Sequence, residues 1–366
     1  MTQNTTNNSY LRQLDGLRFV AVTMVLIDHW SGDALQFPIS YLGVCMFFVL
    51  SGFLITRILL QARQKDENLG RSHKFSLKQF YIRRTVRIFP IYYLTILALF
   101  IWNIEPVRDK IWWYLTYTTN IYIAINQTWM GSSDHLWSLA VEEQFYLFFP
   151  FIVFFLSARS LPKILFGFMA ISVGLRLFFY LNGSAWMTPY VLMPTCLDAF
   201  GIGGLFAYSY FHKNDAVKKF VTNKVWLLIS LILYIGIVLW GKQFPDGHNM
   251  ITVVFLRLFE SLFSLFMVGN AVYGFSGITK SFFEHKLTVY LGRISYGIYI
   301  YHKFIYNHYH NSPSNPVVKI LSKLPIIDEN MVLKIIFLYI ITVIVSTISW
   351  FLIEKPINKW KDKFSY

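Results

Sequence analysis

Ten apolar runs, most of them long enough to cross a hydrocarbon layer about 30 Å thick as helices, follow one another along this 366-residue chain. They are Leu17 to Trp30, Tyr41 to Leu60, Ile88 to Trp102, Leu136 to Leu156, Ile164 to Leu181, Tyr190 to Phe211, Val225 to Trp240, Ile251 to Phe275, Val289 to Tyr309 and Met331 to Ile353. Only 14% of the residues are charged, against about a quarter in soluble domains. The expected fold is all-α, a polytopic membrane bundle of about ten transmembrane helices. Ile111 to Ile125 is shorter and carries Thr116, Thr118, Thr119 and Asn120, so it reads as re-entrant or interfacial.

Counting that segment as a crossing would reverse every later loop, and the basic residues decide against it. Without it, Arg63, Arg71, Arg83, Arg84, Arg159, Lys213, Lys218, Lys280 and the tail lysines fall on one side, and only a few cations such as Arg108 and Lys242 on the other. The basic side is the cytoplasm, which places both termini there. Residues 1–9 are polar and expected to be disordered, 10–354 form one membrane domain, and 355–366 a basic tail. No signal-cleavage pattern follows the first run. The net charge of +14 is explained by these loops, so no nucleic-acid partner is inferred. Cys45 and Cys196 lie apart in apolar runs, and neither a disulfide framework nor a metal site is expected.

Ionisable residues inside membrane spans are costly and usually face a cavity. His29 ends the first run about 16 Å of helix rise beyond Arg18, toward the outer surface. Glu142, Glu143, Arg176, Asp198, Arg257, Glu260 and His302 fall in outer halves of later runs, which implies an outward-facing polar cavity. Of the adjacent Glu142 and Glu143, one is expected in the cavity and the other in a helix-helix contact. Glu142 is the cavity candidate, because Ser138 lies one turn before it. His29 fits either a proton-transfer role or a plain interhelical hydrogen bond. Arg83, Arg84 and Arg87 cluster at the opposite mouth, where guanidinium forks fit substrate phosphates and anionic lipid head groups fit equally well. Gly43, Gly52, Gly201, Gly203 and Gly204 read as close-packing positions.

No P-loop, dinucleotide fingerprint, HExxH or nucleophile elbow occurs. Instead LRQLDGLRFVAVTMVLIDH (11–29), GVCMFFVLSGFLIT (43–56), FYIRRTVRIFPIYY (80–93), HLWSLAVEEQFYLFFP (135–150) and LGRISYGIYIYH (291–302) together resemble the acyltransferase 3 family of integral-membrane O-acyltransferases, in its stand-alone form without a fused hydrolase-like domain. The resemblance implies transfer of an acyl group, usually acetyl from cytoplasmic acetyl-CoA, to a hydroxyl across the membrane. It makes His29 the catalytic histidine, as general base or acyl carrier, and Glu142 the family's acidic position. Arg83, Arg84 and Arg87 are placed to hold CoA phosphates, assisted by Arg12 and Arg18. Ser138, Tyr299 and His302 are candidate substrate contacts. No metal is implied. The expected acceptor is a sugar hydroxyl on a lipid-linked or cell-surface glycan, with membrane lipid and glycan-assembly proteins as further partners.

The competing class is a transporter or flippase of a glycan, lipid or small solute. Paired broken helices in two repeated halves would favour it, and no repeated half is present. In single-cysteine variants, position 72 should label from the cytoplasm and position 315 from outside; the reverse pattern would overturn the orientation.

Overall fold

The computed structural model describes residues 10–244 and 248–364. Among them there is helix and connection but no strand. In chain order the helices are α1 Arg12–Ser31, α2 Ile39–Asn68, α3 His73–Ile101, α4 Ile111–Leu115, α5 Thr119–Asn126, α6 Leu136–Phe155, α7 Leu161–Leu181, α8 Met187–Val191, α9 Leu197–Phe211 and α10 Asp215–Val221. There follow α11 Lys224–Gly241, α12 Met250–Tyr273, α13 Gly277–Glu284, α14 Lys286–Arg293, α15 Ser295–Ile305, α16 Pro316–Leu321, α17 Pro325–Glu329, α18 Met331–Ser349 and α19 Lys355–Asn358. Side-chain caps start several of them. Asn249 and Thr252 form a reciprocal capping box on α12, while Ser72, Asn223 and Asn330 cap α3, α11 and α18, each satisfying orphan N–H groups.

Seven helical segments are long and apolar enough to cross a membrane: α2, α3, α6, Ala158–Leu181, α11, α12 and Met331–Asn358. The three other expected spans, the first, sixth and ninth, depart from that pattern. α1 has the length but carries Arg12, Asp15, Arg18, Asp28 and His29. It is wrapped by α2, α12, α13, α14, α15 and α18, and Leu17, Ala21, Val22, Val25 and Leu26 are wholly buried. The sixth run breaks at Leu192, whose backbone is extended, before α9 begins at Leu197. The ninth divides into α14 and α15 at Ile294. Non-helical backbone and charge are tolerated at membrane depth where protein, not lipid, surrounds them.

The break before α9 shows how. Its freed carbonyls are taken up by two arginines from neighbouring helices. Arg176 donates to Thr195 O at 2.7 Å; Arg257 donates to Thr195 O at 3.1 Å and Tyr190 O at 2.6 Å. Asp198 neutralises Arg176 at 2.6 Å, with Ser172 bonded to both. Three of the expected intramembrane charges are thereby structural.

α4 and α5 rise only about 7 and 12 Å, too little to span, so residues 111–126 do not cross as a helix. Tyr10 and Asn358 line one cavity, which puts the start of α1 and the end of the last long segment at the same end of the molecule. The tail is tied to the bundle, since Arg83 donates to Phe364 O at 2.9 Å. Residues 1–9 lie outside the described residues. Buried Asp66 accepts from Arg71 at 2.5 Å and from Ser76 at 2.8 Å, clamping the α2–α3 turn and setting the direction in which α3 presents its arginines.

Small residues set the central spacing, as read from the glycines. A Cβ on Gly52 would strike the Phe200 carbonyl, and one on Gly203 the Val49 carbonyl, so α2 and α9 touch backbone to backbone. Gly203→Leu should therefore cost roughly 1–3 kcal/mol by overpacking in a thermal-shift measurement in detergent. Gly174→Leu, which meets nothing within 4 Å, should melt like wild type; equal melting of both variants would refute the close approach.

Candidate active site

Arg84 and Arg87, one turn apart on α3, share a helix face. Together with Arg18 of α1 they open a cavity of about 110 Å³. The Arg84 guanidinium lies 4.6 Å above the Tyr146 ring, a cation–π contact that leaves its edge for other partners. Arg18 is held by Asp15 at 3.0 Å. Arg87 and Arg18 also border a neighbouring cavity with Arg293 and Glu354. Arg83 points elsewhere, as adjacent helical residues must, and bonds the tail. Arg12 is exposed on the first turn of α1. Of the five expected basic residues, three are brought together here. Arg293 is an addition, and its signal was its place inside the LGRISYG motif.

At its far end the cavity is lined by Ser138 and Tyr299, expected from sequence and hydrogen-bonded to each other at 2.6 Å. Both hydroxyls also reach the His135 carbonyl, at 3.2 and 3.0 Å. Behind them lies a histidine pair: His29 Nδ1 is 2.8 Å from His302 Nε2, and the rings stack with centroids 5.1 Å apart. His29 is not among the cavity-lining residues. It is half-buried, while His302 is fully buried. Trp30 fastens the end of α1 to that of α15 by donating to Tyr306 O at 3.1 Å. Lys303 fastens α15 to the segment before α6 through Asp134 at 2.6 Å.

The hydrogen bonds assign the tautomers. His302 Nδ1 lies 2.6 Å from the Tyr299 carbonyl, and a carbonyl only accepts, so Nδ1 carries the proton. In a neutral ring His302 Nε2 is then a bare acceptor. His29 must donate to it from Nδ1, which leaves the lone pair of His29 on Nε2, where no described residue bonds it. Both His302 nitrogens are thus occupied, so His302 orients His29 instead of offering itself to a substrate. His135, absent from the sequence-based candidates although it opens the HLWSL motif, donates from Nε2 to Ile300 O at 3.1 Å. Its buried Nδ1 has no partner, and its ring stands edge-on to His302 with centroids 4.8 Å apart. Among the described residues no group of three or more His, Cys, Asp or Glu side chains is arranged to hold a metal.

Glu142 does not touch His29. It accepts from Ser51 at 2.7 Å, and Ser51 in turn accepts from Tyr146 at 2.8 Å. Glu142 and Glu143 both line the cavity, against the expectation that only one would. The space between α2, α3 and α6 is wide enough to meet residues about 100° apart on α6. Asp28, the sequence neighbour of His29, is bonded to Ser40.

The profile of a family described as an acyltransferase domain matches residues 11–351. O-acetyltransferase OatA of Staphylococcus aureus strain NCTC 8325 / PS 47 is 28% identical over 372 residues, covering 96% of this chain and 57% of the relative. A protein of Staphylococcus aureus strain COL, whose name gives O-acetyltransferase as a provisional assignment, is 29% identical over 385 residues, covering 96% of this chain and 58% of its own. The chain therefore spans less than three fifths of the length of these curated relatives. No solved structure matches it.

The tautomer assignment is open to measurement. In solid-state ¹⁵N NMR of histidine-labelled protein, His29 should show a protonated Nδ1 and a bare Nε2, and His302→Phe should abolish that preference. A protonated Nε2 in the wild type would contradict the bonding scheme.

Proposed function

This chain belongs to the acyltransferase-domain family, and we propose on that basis that it is a membrane O-acyltransferase. It moves an acyl group, acetyl by the names of its relatives, from acyl-CoA to a sugar hydroxyl of a lipid-linked or cell-surface glycan. The observation that carries this reading is the single cavity running from Arg18, Arg84 and Arg87 to the Ser138–Tyr299 pair, with the His302–His29 pair bonded directly behind it. A cationic mouth at one end and a neutral, hydrogen-bonding reaction layer at the other match a donor whose anionic phosphates and reactive carbonyl lie far apart. The arginine end is cytoplasmic and the His29 end extracytoplasmic, in agreement with the loop charges, and the protein resides in a bacterial cytoplasmic membrane.

Arg18, Arg84 and Arg87 hold the CoA phosphates, while the pantetheine arm extends past Glu142 and Ser51. His29 Nε2 takes the proton of the acceptor hydroxyl as general base. The hydroxyl oxygen bonds to the thioester carbon, the C–S bond breaks, and the departing thiolate receives the proton from His29, giving an acyl ester and free CoA. The Ser138 and Tyr299 hydroxyls have two protons between them, shared by the His135 carbonyl and the bond that joins them, so one of them donates to the oxyanion by exchanging that mutual bond for it. Glu142 fixes Ser51 and Tyr146 beside the donor channel.

Purified protein in a membrane mimic, given radiolabelled acetyl-CoA and an envelope-glycan fraction, should place label in alkali-labile esters. His29→Ala should lower transfer by about 10²- to 10⁴-fold, the usual worth of a general base. Arg84→Ala and Arg87→Ala should each weaken acetyl-CoA binding about 10-fold or more, the value of a charge-assisted hydrogen bond. Full transfer by a folded His29→Ala protein would remove the histidine from the reaction, and unchanged affinity in both arginine variants would return those residues to lipid anchoring.

A further inference from the structure

A second cavity, of about 430 Å³, lies at the His29 end of the bundle and takes no part in holding the donor. Its rim comes from the connection after α1 (Gln36, Pro38), the end of α11 (Lys242, Phe244) and the approach to α12. Aromatic rings form one wall. Trp186 stacks on His248 with centroids 4.4 Å apart, and Tyr190 packs against Tyr41 at 4.7 Å. Arg257 and Glu260, one turn apart on α12, are also part of the lining.

The charges of this region are not equally employed. Arg176 and Asp198 neutralise each other, and Arg257 binds the Thr195 and Tyr190 carbonyls and the Cys196 sulfur. Those three bonds leave two of the five guanidinium donors uncommitted. Glu260 is 3% exposed, yet its Oε1 has no hydrogen-bond partner, and among the described residues it forms no ion pair. A carboxylate so placed costs stability unless something completes it. Arg257, one turn away on α12, is the countercharge that acts on it first, without an ion pair forming between them.

We infer that this cavity is the acceptor subsite and that it takes a neutral sugar ring. The choice of ligand class rests on the acyltransferase reading. Glu260 offers an acceptor and Arg257 donors on adjacent turns, which suits neighbouring hydroxyls, each able both to donate and to accept. A cation would meet Arg257 and Lys242, and an anion would meet Glu260, so a neutral polyol fits better than either. Trp186, Tyr190 and Tyr41 provide flat apolar faces for the C–H side of the ring. The subsite also abuts the reaction layer: the Tyr190 ring lies 5.0 Å from that of Trp137, the residue before Ser138, and Tyr41 follows Ser40, the partner of Asp28 beside His29.

The test uses full-length protein in lipid nanodiscs with Trp186→Ala and Glu260→Leu. Saturation-transfer NMR with neutral gluco-, galacto-, manno- and N-acetylhexosamine disaccharides needs no acyl donor. It should give ligand signals with wild type that both variants lose. In the transfer assay both variants should raise the KM for the glycan about 10-fold or more, the value of a charge-assisted bond or a stacked ring, and leave the KM for acetyl-CoA unchanged. Glu260→Leu should also melt at or above the wild-type temperature, whereas a carboxylate with a structural duty would lower it on removal. Absence of disaccharide signals, or signals and glycan KM unmoved by either variant, overturns the subsite. Disaccharide binding that both variants lose, in a protein that transfers no acyl group, keeps the subsite and overturns the acyltransferase reading instead.

Discussion

Hydrocarbon supplies no hydrogen bonds, so every polar group at membrane depth must find its partner within the protein. This chain meets that constraint by division of labour. Long apolar helices such as α7, α11 and α18 face outward with many exposed aliphatic and aromatic side chains. Of the polar and broken elements, α1 packs on the α14–α15 pair as well as on α2 and α12, while α9 is held by α2, α7 and α12. A Cβ on Gly292 would collide with the Asp15 carbonyl, which measures how closely α14 lies on α1. The candidate site lies where α1 and the α14–α15 pair meet the ordinary spans α2, α3 and α6.

Two kinds of arginine serve different ends in this arrangement. Arg176 and Arg257 close the backbone of a broken helix, and the Arg176–Asp198 pair is fully enclosed. Such a pair gains little over an apolar replacement while it is intact but is costly to break from one side, and here it also fixes the start of α9, whose Gly203 packs on α2 and Gly201 on α7. Arg18, Arg84 and Arg87 instead border open space. Their partners, Asp15 and the Tyr146 ring, leave donors available.

Much of this was legible from sequence because it depends on residue type at fixed helical spacing. Arg84 and Arg87 share a face by the i,i+3 rule, and Gly52 and Gly203 could be read as close-packing positions. Ser138 and Tyr299 fell within motifs and were found bonded together. The departures come from tertiary neighbours that spacing cannot reveal. Arg83 carries the same side chain as Arg84, but its direction gives it to the tail. The first, sixth and ninth apolar runs looked like ordinary spans because local hydropathy does not distinguish a helix facing lipid from one facing other helices. The partner of His29 is His302, some 270 residues away in sequence, a pairing that no helical spacing rule can supply. His135 passed unnoticed because its relation to His302 exists only once α6 and α15 meet.

The His29–His302 pair has a consequence for the proposed reaction. A carboxylate behind a catalytic histidine both fixes its tautomer and stabilises the imidazolium that forms on proton transfer. His302 does only the first. It is neutral, and its own orientation comes from a helix carbonyl, so the tautomer of His29 is set without placing an anion at membrane depth, where one would be costly. The imidazolium receives little compensation in return and is best formed late and discharged early. A thiolate leaving group in the same layer supplies that outlet, because the proton taken from the hydroxyl passes to sulfur within one transfer event. The pairing therefore favours direct transfer over an acyl-histidine carrier, whose cationic acyl-imidazolium would have to persist while one substrate left and another arrived.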